Sequence, residues 1–294
     1  MELNISQVNK TYANGVHALQ DINLSISSGM FGLLGPNGAG KTSLMNTLAT
    51  LQLPDSGKIK LGDIDLTNKP QQIREKLGYL PQQFGVYPNT SAEQMLDYIA
   101  QLKGIGDKSQ RQQHVAELLE LVNLTEHKKR HLDTYSGGMK QRFGIAQALV
   151  GSPKLIIVDE PTAGLDPVER NRFHNILSDI STETIVILST HIVEDIANLC
   201  NQMAIMYRGK VLRQSTPQDL IAELTGKLWE KPVTKQEIES MQSGSELKIL
   251  STRLNEGQHF ITVKSDTCPG ESYKNKTPDL EAVYFDSLPL DALQ

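Results

Sequence analysis

The sequence predicts an α/β fold built on a parallel sheet, and three observations carry that expectation. Short apolar runs at Met30–Leu34, Leu155–Val158 and Thr184–Leu188 have the length and texture of strands buried on both faces. Helical patterns follow the last two, near Val168–Ile180 and after His191, giving the strand–helix alternation of a parallel sheet with crossover helices. Between about Pro88 and Val150 the period turns wholly helical, so a helical region is inserted into the α/β core.

The elements follow in order. Leu3, Ile5 and Val8 share one side of an opening strand, and a second strand runs from Leu19 to Ile26. Pro54-Asp55-Ser56-Gly57 is a turn, and Lys58 to Leu66 folds as a hairpin at Gly62-Asp63, making the first part an antiparallel β subdomain. Within the helical region, Met95, Tyr98, Ile99 and Leu102 form one stripe at helical spacing and Val115, Leu118, Leu119 and Val122 another. Both read as packing faces. Thr90-Ser91-Ala92-Glu93 supplies a capping box ahead of the first.

From about Thr225 the texture shifts. Thr234-Lys235-Gln236-Glu237 is a second capping-box candidate, and Leu247 to Lys264 reads as two strands around Asn255-Glu256-Gly257. Thr277-Pro278-Asp279-Leu280 starts a helix with proline at its first position. The organisation expected is one large domain over 1–224, with its helical subdomain at about 88–150, and a small α+β extension over 225–294. At that size the extension is marginal alone and is expected to dock on the main domain.

Composition narrows the classes. With 29 Lys+Arg against 34 Asp+Glu, the 294-residue chain lacks the basic excess of a dedicated nucleic-acid binder. No apolar run approaches the roughly 20 residues that span a bilayer. Met1-Glu2-Leu3-Asn4-Ile5 carries neither the basic nor the apolar block of a signal peptide. Cys200 and Cys268 stand apart, without metal-ligand spacing, which favours a reducing compartment. A soluble cytoplasmic protein is expected.

Three motifs carry chemistry. Gly35-Pro36-Asn37-Gly38-Ala39-Gly40-Lys41-Thr42 matches GxxxxGK[ST] between an apolar strand and the helix-compatible Ser43–Leu51. Its glycines let backbone N–H groups converge on one point at a helix N-terminus, where phosphate binds. Lys41 would neutralise outer phosphates and the Thr42 hydroxyl would coordinate Mg²⁺. Leu155–Val158 then runs into Asp159-Glu160, acids at the ligand-facing end of a buried strand. Beside a phosphate loop, Asp159 is placed to hold Mg²⁺ and Glu160 to polarise a water; alone, the pair would equally be solvated acids at a strand end. Tyr135-Ser136-Gly137-Gly138-Met139-Lys140 is a small-residue turn opening a second helix, and reads either as another anion site or as an ordinary serine N-cap.

With these residues in hand, the chain resembles the nucleotide-binding subunit of ATP-binding-cassette (ABC) transporters over residues 1 to about 222, most like the ATPases of ABC-2-type exporters. The family's elements occur in its order: the phosphate loop at 35–42, Gln82 in Leu80-Pro81-Gln82, the signature at 136–140, Asp159-Glu160, Ala163-Gly164-Leu165-Asp166, and His191 in Ser189-Thr190-His191. The signature opens Tyr-Ser-Gly-Gly-Met where the most familiar form is Leu-Ser-Gly-Gly-Gln, keeping the phosphate-facing Ser and Gly pair. The resemblance implies a P-loop NTPase core that hydrolyses ATP with Mg²⁺. It implies that Tyr12 stacks on adenine and that Ser43 belongs with the phosphate-loop residues. Gln82 would sense Mg²⁺ and the attacking water, and His191 would contact the γ-phosphate. Two subunits would pair head to tail, each ATP lying between one chain's phosphate loop and the other's Ser136, Gly137 and Gly138, with Asp166 at the seam. A second ATPase copy and a separate membrane permease are the implied partners, at the inner face of the cell membrane.

Two other readings are weaker. ABC ATPases acting on ribosomes or DNA usually carry two cassettes or long coiled-coil insertions, and this chain has one cassette and no sustained heptads. A P-loop GTPase would need the guanine-reading Asn/Thr-Lys-x-Asp motif; Asn68-Lys69-Pro70-Gln71 and Thr234-Lys235-Gln236-Glu237 both lack its aspartate.

Overall fold

The computed structural model describes residues 1–294 except 83, 86, 163–164, 239–247, 290–291 and 293–294. The chain divides into two compact units, Met1–Val211 and Leu212–Gln294.

In the first unit, β1 (Glu2–Thr11) pairs antiparallel with β2 (His17–Ser27) and, on its other side, with β4 (Ser56–Leu61), which turns into β5 (Ile64–Asp65). The expected N-terminal antiparallel subdomain is therefore present, with Leu3, Ile5 and Val8 all buried. Between β2 and β4 the chain enters the parallel sheet as β3 (Gly29–Leu34) and passes into α1 (Lys41–Leu48). After α2 (Pro70–Glu75) comes β6 (Leu77–Leu80), then the helical insertion: α3 (Ala92–Leu102), α4 (Lys108–Leu121) and α5 (Gly137–Leu149). The core resumes with β7 (Leu155–Asp159), α6 (Pro167–Ile180), β8 (Ile185–Thr190), α7 (Val193–Leu199), β9 (Gln202–Tyr207) and β10 (Lys210–Ser215).

The six-stranded sheet has the order β10-β9-β3-β8-β7-β6, and β3 pairs parallel with both β8 and β9, as β7 does with β6 and β8. Every residue of β7 and β8 is buried, which is why their sequences read as continuous apolar runs. One apolar core, including Phe31, Leu44, Met45, Ile157 and Ile187, joins this sheet to α1 and to the antiparallel sheet.

The structure corrects three sequence-based expectations. Ser91 caps α3, not Thr90: its hydroxyl accepts from Gln94 N–H at 3.3 Å while Gln94 Oε1 accepts from Ser91 N–H at 3.0 Å. Ser91-x-x-Gln94 satisfies the same rule one residue later. The stripe on α3 has the right period and the wrong phase. Its buried side is Ala92, Leu96 and Ala100; of the expected stripe Met95 and Ile99 are half-buried, while Tyr98 is 53% and Leu102 69% exposed. Small alanines let the helix approach closely and give little signal beside bulkier neighbours. The stripe Val115, Leu118, Leu119 and Val122 is buried as expected. Near the C-terminus, Asp279 is the N-cap, accepting from Ala282 N–H at 2.8 Å, so Pro278 lies just before the cap and not inside the helix.

The second unit carries α8 (Pro217–Ala222) and a four-stranded sheet, order β12-β13-β11-β14, built from β11 (Leu228–Val233), β12 (Lys248–Asn255), β13 (Gln258–Lys264) and β14 (Lys274–Asn275). Helix α9 (Leu280–Ser287) follows. Val233, Ile261 and Val263 form a small core with Trp229 and Tyr273 against it. The hairpin around Asn255-Glu256-Gly257 is present, though Leu247 lies outside the described residues. Thr234 and Glu237 form the expected reciprocal cap.

The helical insertion leans on the core where β6 passes α5. A Cβ on Gly78 would stand 2.1 Å from the Ala148 carbonyl oxygen, a backbone atom with no rotamer to change. Gly78→Ala should therefore force strand and helix apart and destabilise the fold by about 1–3 kcal/mol. A lowered melting temperature with retained secondary structure is the expected result.

Candidate functional site

The C-terminal ends of β3, β7 and β8 lie side by side, so whatever follows each strand meets the others. After β3 the chain curls through Gly35–Gly40 into α1. Gly40 is the N-cap of α1, with φ 103° and no side chain to cap the helix. Its first-turn amides are thereby left to an external acceptor, and the helix dipole favours an anion there. A Cβ on Gly40 would also lie 2.5 Å from the Ala18 carbonyl oxygen. The loop is braced from behind, where Gly209 N–H donates to Ala39 O at 2.8 Å.

Lys41 is 5% exposed, and its ammonium folds back to donate to Gly35 O at 2.7 Å and Pro36 O at 3.2 Å. Glu160 Oε1 is 3.8 Å away. Burial holds the Lys41 ammonium below its ordinary pKa, against the opposing pull of Glu160 and Asp159.

Asp159 ends β7 almost fully buried and accepts from Ser189 Oγ at 2.7 Å. Burial pushes its carboxyl above the ordinary value, against the Ser189 hydrogen bond and with the Glu160 charge adding to the rise. Glu160 has φ 47°, a left-handed conformation uncommon outside glycine. Its N–H donates to Ser189 O at 2.9 Å. The reversal turns its carboxylate back into the cleft, where Oε2 accepts from Gln82 Nε2 at 3.0 Å and stands 3.4 Å from His191 Nδ1.

Tyr12, Asn37 to Ser43, Gln82, Glu160, His191, His17, Gln20 and Arg208 line one cleft of about 760 Å³. The Tyr12 hydroxyl lies 3.0 Å from Ser43 Oγ and donates to Gln52 Oε1 at 3.1 Å, which holds the ring beside the phosphate loop. The structure thus brings together Tyr12, the residues Gly35–Ser43, Gln82, Asp159, Glu160 and His191.

It does not bring the signature or Asp166 into that cleft. Ser136 caps α5, accepting from Met139 N–H at 3.2 Å, so its ordinary capping role is real. Ser136 and Gly137 are exposed, as is Asp166, which caps α6 through Glu169 N–H at 2.9 Å. Glu169 then receives Arg142 of α5 at 3.1 Å, tying the signature helix to the helix after Asp166. Ala163 and Gly164 lie outside the described residues. Sequence reasoning missed Ser189, whose signal was a small hydroxyl ending an otherwise apolar strand.

For a divalent ion, Asp159 and the Thr42 hydroxyl are hard oxygen donors at the mouth of the phosphate loop, with Gln82 nearby. Among the described residues no group of three or more His, Cys, Asp or Glu is arranged to hold a metal ion by itself. That set fits Mg²⁺, which takes one or two protein oxygens and fills its shell with phosphate and water.

A buried strand feeding a glycine-rich loop and helix N-terminus, with acids two strands away at the same end of the sheet, defines a phosphate-binding α/β nucleotide hydrolase. The family model described as "ABC transporter" matches residues 19–163. The chain is 34% identical over 226 residues to the linearmycin resistance ATP-binding protein LnrL of Bacillus subtilis, covering 76% of this chain and 72% of that one. It is 35% identical over 223 residues to the doxorubicin resistance ATP-binding protein DrrA of Mycobacterium tuberculosis, covering 75% and 67%. The dimeric cassette MJ0796 bound to ADP and Pi superposes with TM-score 0.67 at 25% identity, over 73% of this chain and 98% of that one. The chain belongs to the ABC transporter ATP-binding family and is an ATPase.

Gly40→Ala tests the loop. The left-handed backbone costs a non-glycine residue about 1–3 kcal/mol, before the approach to Ala18 is counted. Calorimetric titration should show ATP affinity reduced about tenfold or more.

Proposed function

We propose that this ATPase powers a separate transmembrane permease, of ABC-2 type and working in export, through ATP-driven closure of a head-to-tail dimer. One observation carries the reading: the cleft of one chain holds a phosphate loop, an acid and a histidine, while Ser136, Gly137 and Asp166 stand exposed outside it. Head-to-tail pairing would supply each cleft with the partner's signature. The adenine would stack on Tyr12, and the phosphates would lie along the amides of Gly38 to Ser43 with Lys41 against the outer ones.

Thr42, Asp159 and Gln82 would hold Mg²⁺, which when bound neutralises charge on the phosphate oxygens. Glu160 would accept a proton from the water attacking the γ-phosphorus. His191 would steady the γ-phosphate, and the partner's signature would meet the charge that develops as the bond to ADP breaks. Gln82, hydrogen-bonded to Glu160 and preceding the helical insertion in sequence, would report that state to it.

The exposed Tyr98 and Leu102 on α3, with the exposed Tyr87 before that helix, support a permease-facing apolar patch. Among the described residues no helix is long and apolar enough to cross a membrane, which suits a partner that does. Export is supported by the relatives named for linearmycin and doxorubicin resistance. The enzyme would then work at the cytoplasmic face of the membrane.

Glu160→Gln should slow hydrolysis about 10²–10⁴-fold, or roughly 3–5 kcal/mol of barrier, since the amide cannot take the proton. Lys41, Thr42 and Asp159 remain, so ATP stays bound and a dimer accumulates on size-exclusion chromatography with ATP and Mg²⁺. Adding Ser136→Arg should abolish that dimer. A wild-type rate would remove Glu160 from the chemistry, and an inactive variant that stays monomeric would count against the sandwich.

A further inference from the structure

The functional reading leaves one buried acid unused. Asp195 lies in the first turn of α7, fully shielded from solvent. A carboxylate there is costly unless its oxygens are met by donors. Thr162 Oγ1 donates to Oδ2 at 2.7 Å, and Thr190 Oγ1 reaches the same oxygen at 3.4 Å. Arg170 contacts Oδ1 through Nε at 2.8 Å and a terminal nitrogen at 2.6 Å, and His174 Nε2 lies 3.0 Å from it. Thr190 Oγ1 in turn accepts from Ile192 N–H at 2.9 Å, bracing the residues on both sides of His191.

Each partner stands next to a group of the site. Thr162 is two residues beyond Glu160, Thr190 immediately precedes His191, and Arg170 and His174 sit one turn apart on the helix that Asp166 caps. Glu160 holds a left-handed φ of 47°, a conformation that persists only where flanking contacts enforce it. Ser189 O holds the residue's own N–H, and Thr162 is the next side-chain anchor along the chain.

We propose that Asp195 is a positioning residue for hydrolysis: through Thr162 and Thr190 it locks the Glu160 segment to the His191 segment, so that carboxylate and imidazole meet at the γ-phosphate in one geometry. The assignment rests on the roles of Glu160 and His191 given above. The same carboxylate grips α6 through Arg170, so the exposed Asp166 is held by the lock that sets the water-activating acid. ATP binding should be spared, because Gly35–Ser43 and Tyr12 belong to other elements.

The test uses the full chain with Asp195→Asn, Thr162→Val and Thr162→Ser, measuring kcat and the ATP dissociation constant, with Glu160→Gln alongside. Asp195→Asn should lose about 10–100-fold in kcat and Thr162→Val about 3–10-fold, with ATP affinity unchanged to within about twofold. Thr162→Ser, which keeps the hydroxyl, should retain wild-type kcat. If Asp195→Asn does not fold, the Thr162 pair decides. A folded Asp195→Asn with wild-type kcat overturns the proposal, as does a Thr162→Val that loses kcat and ATP affinity in step. An inactive Glu160→Gln beside a fully active Thr162→Val overturns the positioning role alone. A fully active Glu160→Gln overturns the general-base reading and this proposal with it.

Discussion

Two carboxylates end a strand that water does not reach, and most of the first unit is arranged around that charge. Asp159 is satisfied by Ser189 from the neighbouring strand, and Glu160 by Gln82, His191 and the Lys41 ammonium. These partners come from β8, from the segment after β6 and from the loop after β3. Only a parallel sheet whose strand ends are aligned brings them together. The burial that raises Asp159 and lowers Lys41 is the same burial that makes an electrostatic contact with phosphate strong.

That arrangement is complete on the phosphate side and open on the other. The signature turn and Asp166 are joined to each other through Arg142 and Glu169, so they form one exposed surface. A surface built this way can engage a second chain as a unit. The Asp195 network then explains how such a surface is held with respect to Glu160 and His191, since Thr162, Arg170 and Thr190 converge on a single carboxylate.

Much of this was legible in the sequence because the informative signals are local. Residues 35–42 specify a loop conformation by their glycines, and apolar runs ending in Asp159-Glu160 or Ser189-Thr190-His191 announce buried strands with polar tips. The phase of α3 was not legible, because Ala92 and Ala100 pack by being small, and hydrophobicity alone ranks Tyr98 and Leu102 above them. The Asp195 network was hidden for a different reason. Its members are spread from 162 to 195 with no motif spacing, and only the fold brings them within hydrogen-bonding distance. The cap at Ser91 shows a finer limit, since two overlapping boxes satisfied the same rule and packing chose between them.

The central claim is that one chain carries only half of a working site. It is tested most directly by the specific ATPase activity of the purified full chain as a function of its own concentration, at saturating ATP and Mg²⁺. The account predicts that activity per molecule rises with concentration at the dilute end and levels off once dimers dominate. Specific activity that stays constant across the range, with size-exclusion chromatography under the same conditions reporting only monomer, would contradict it.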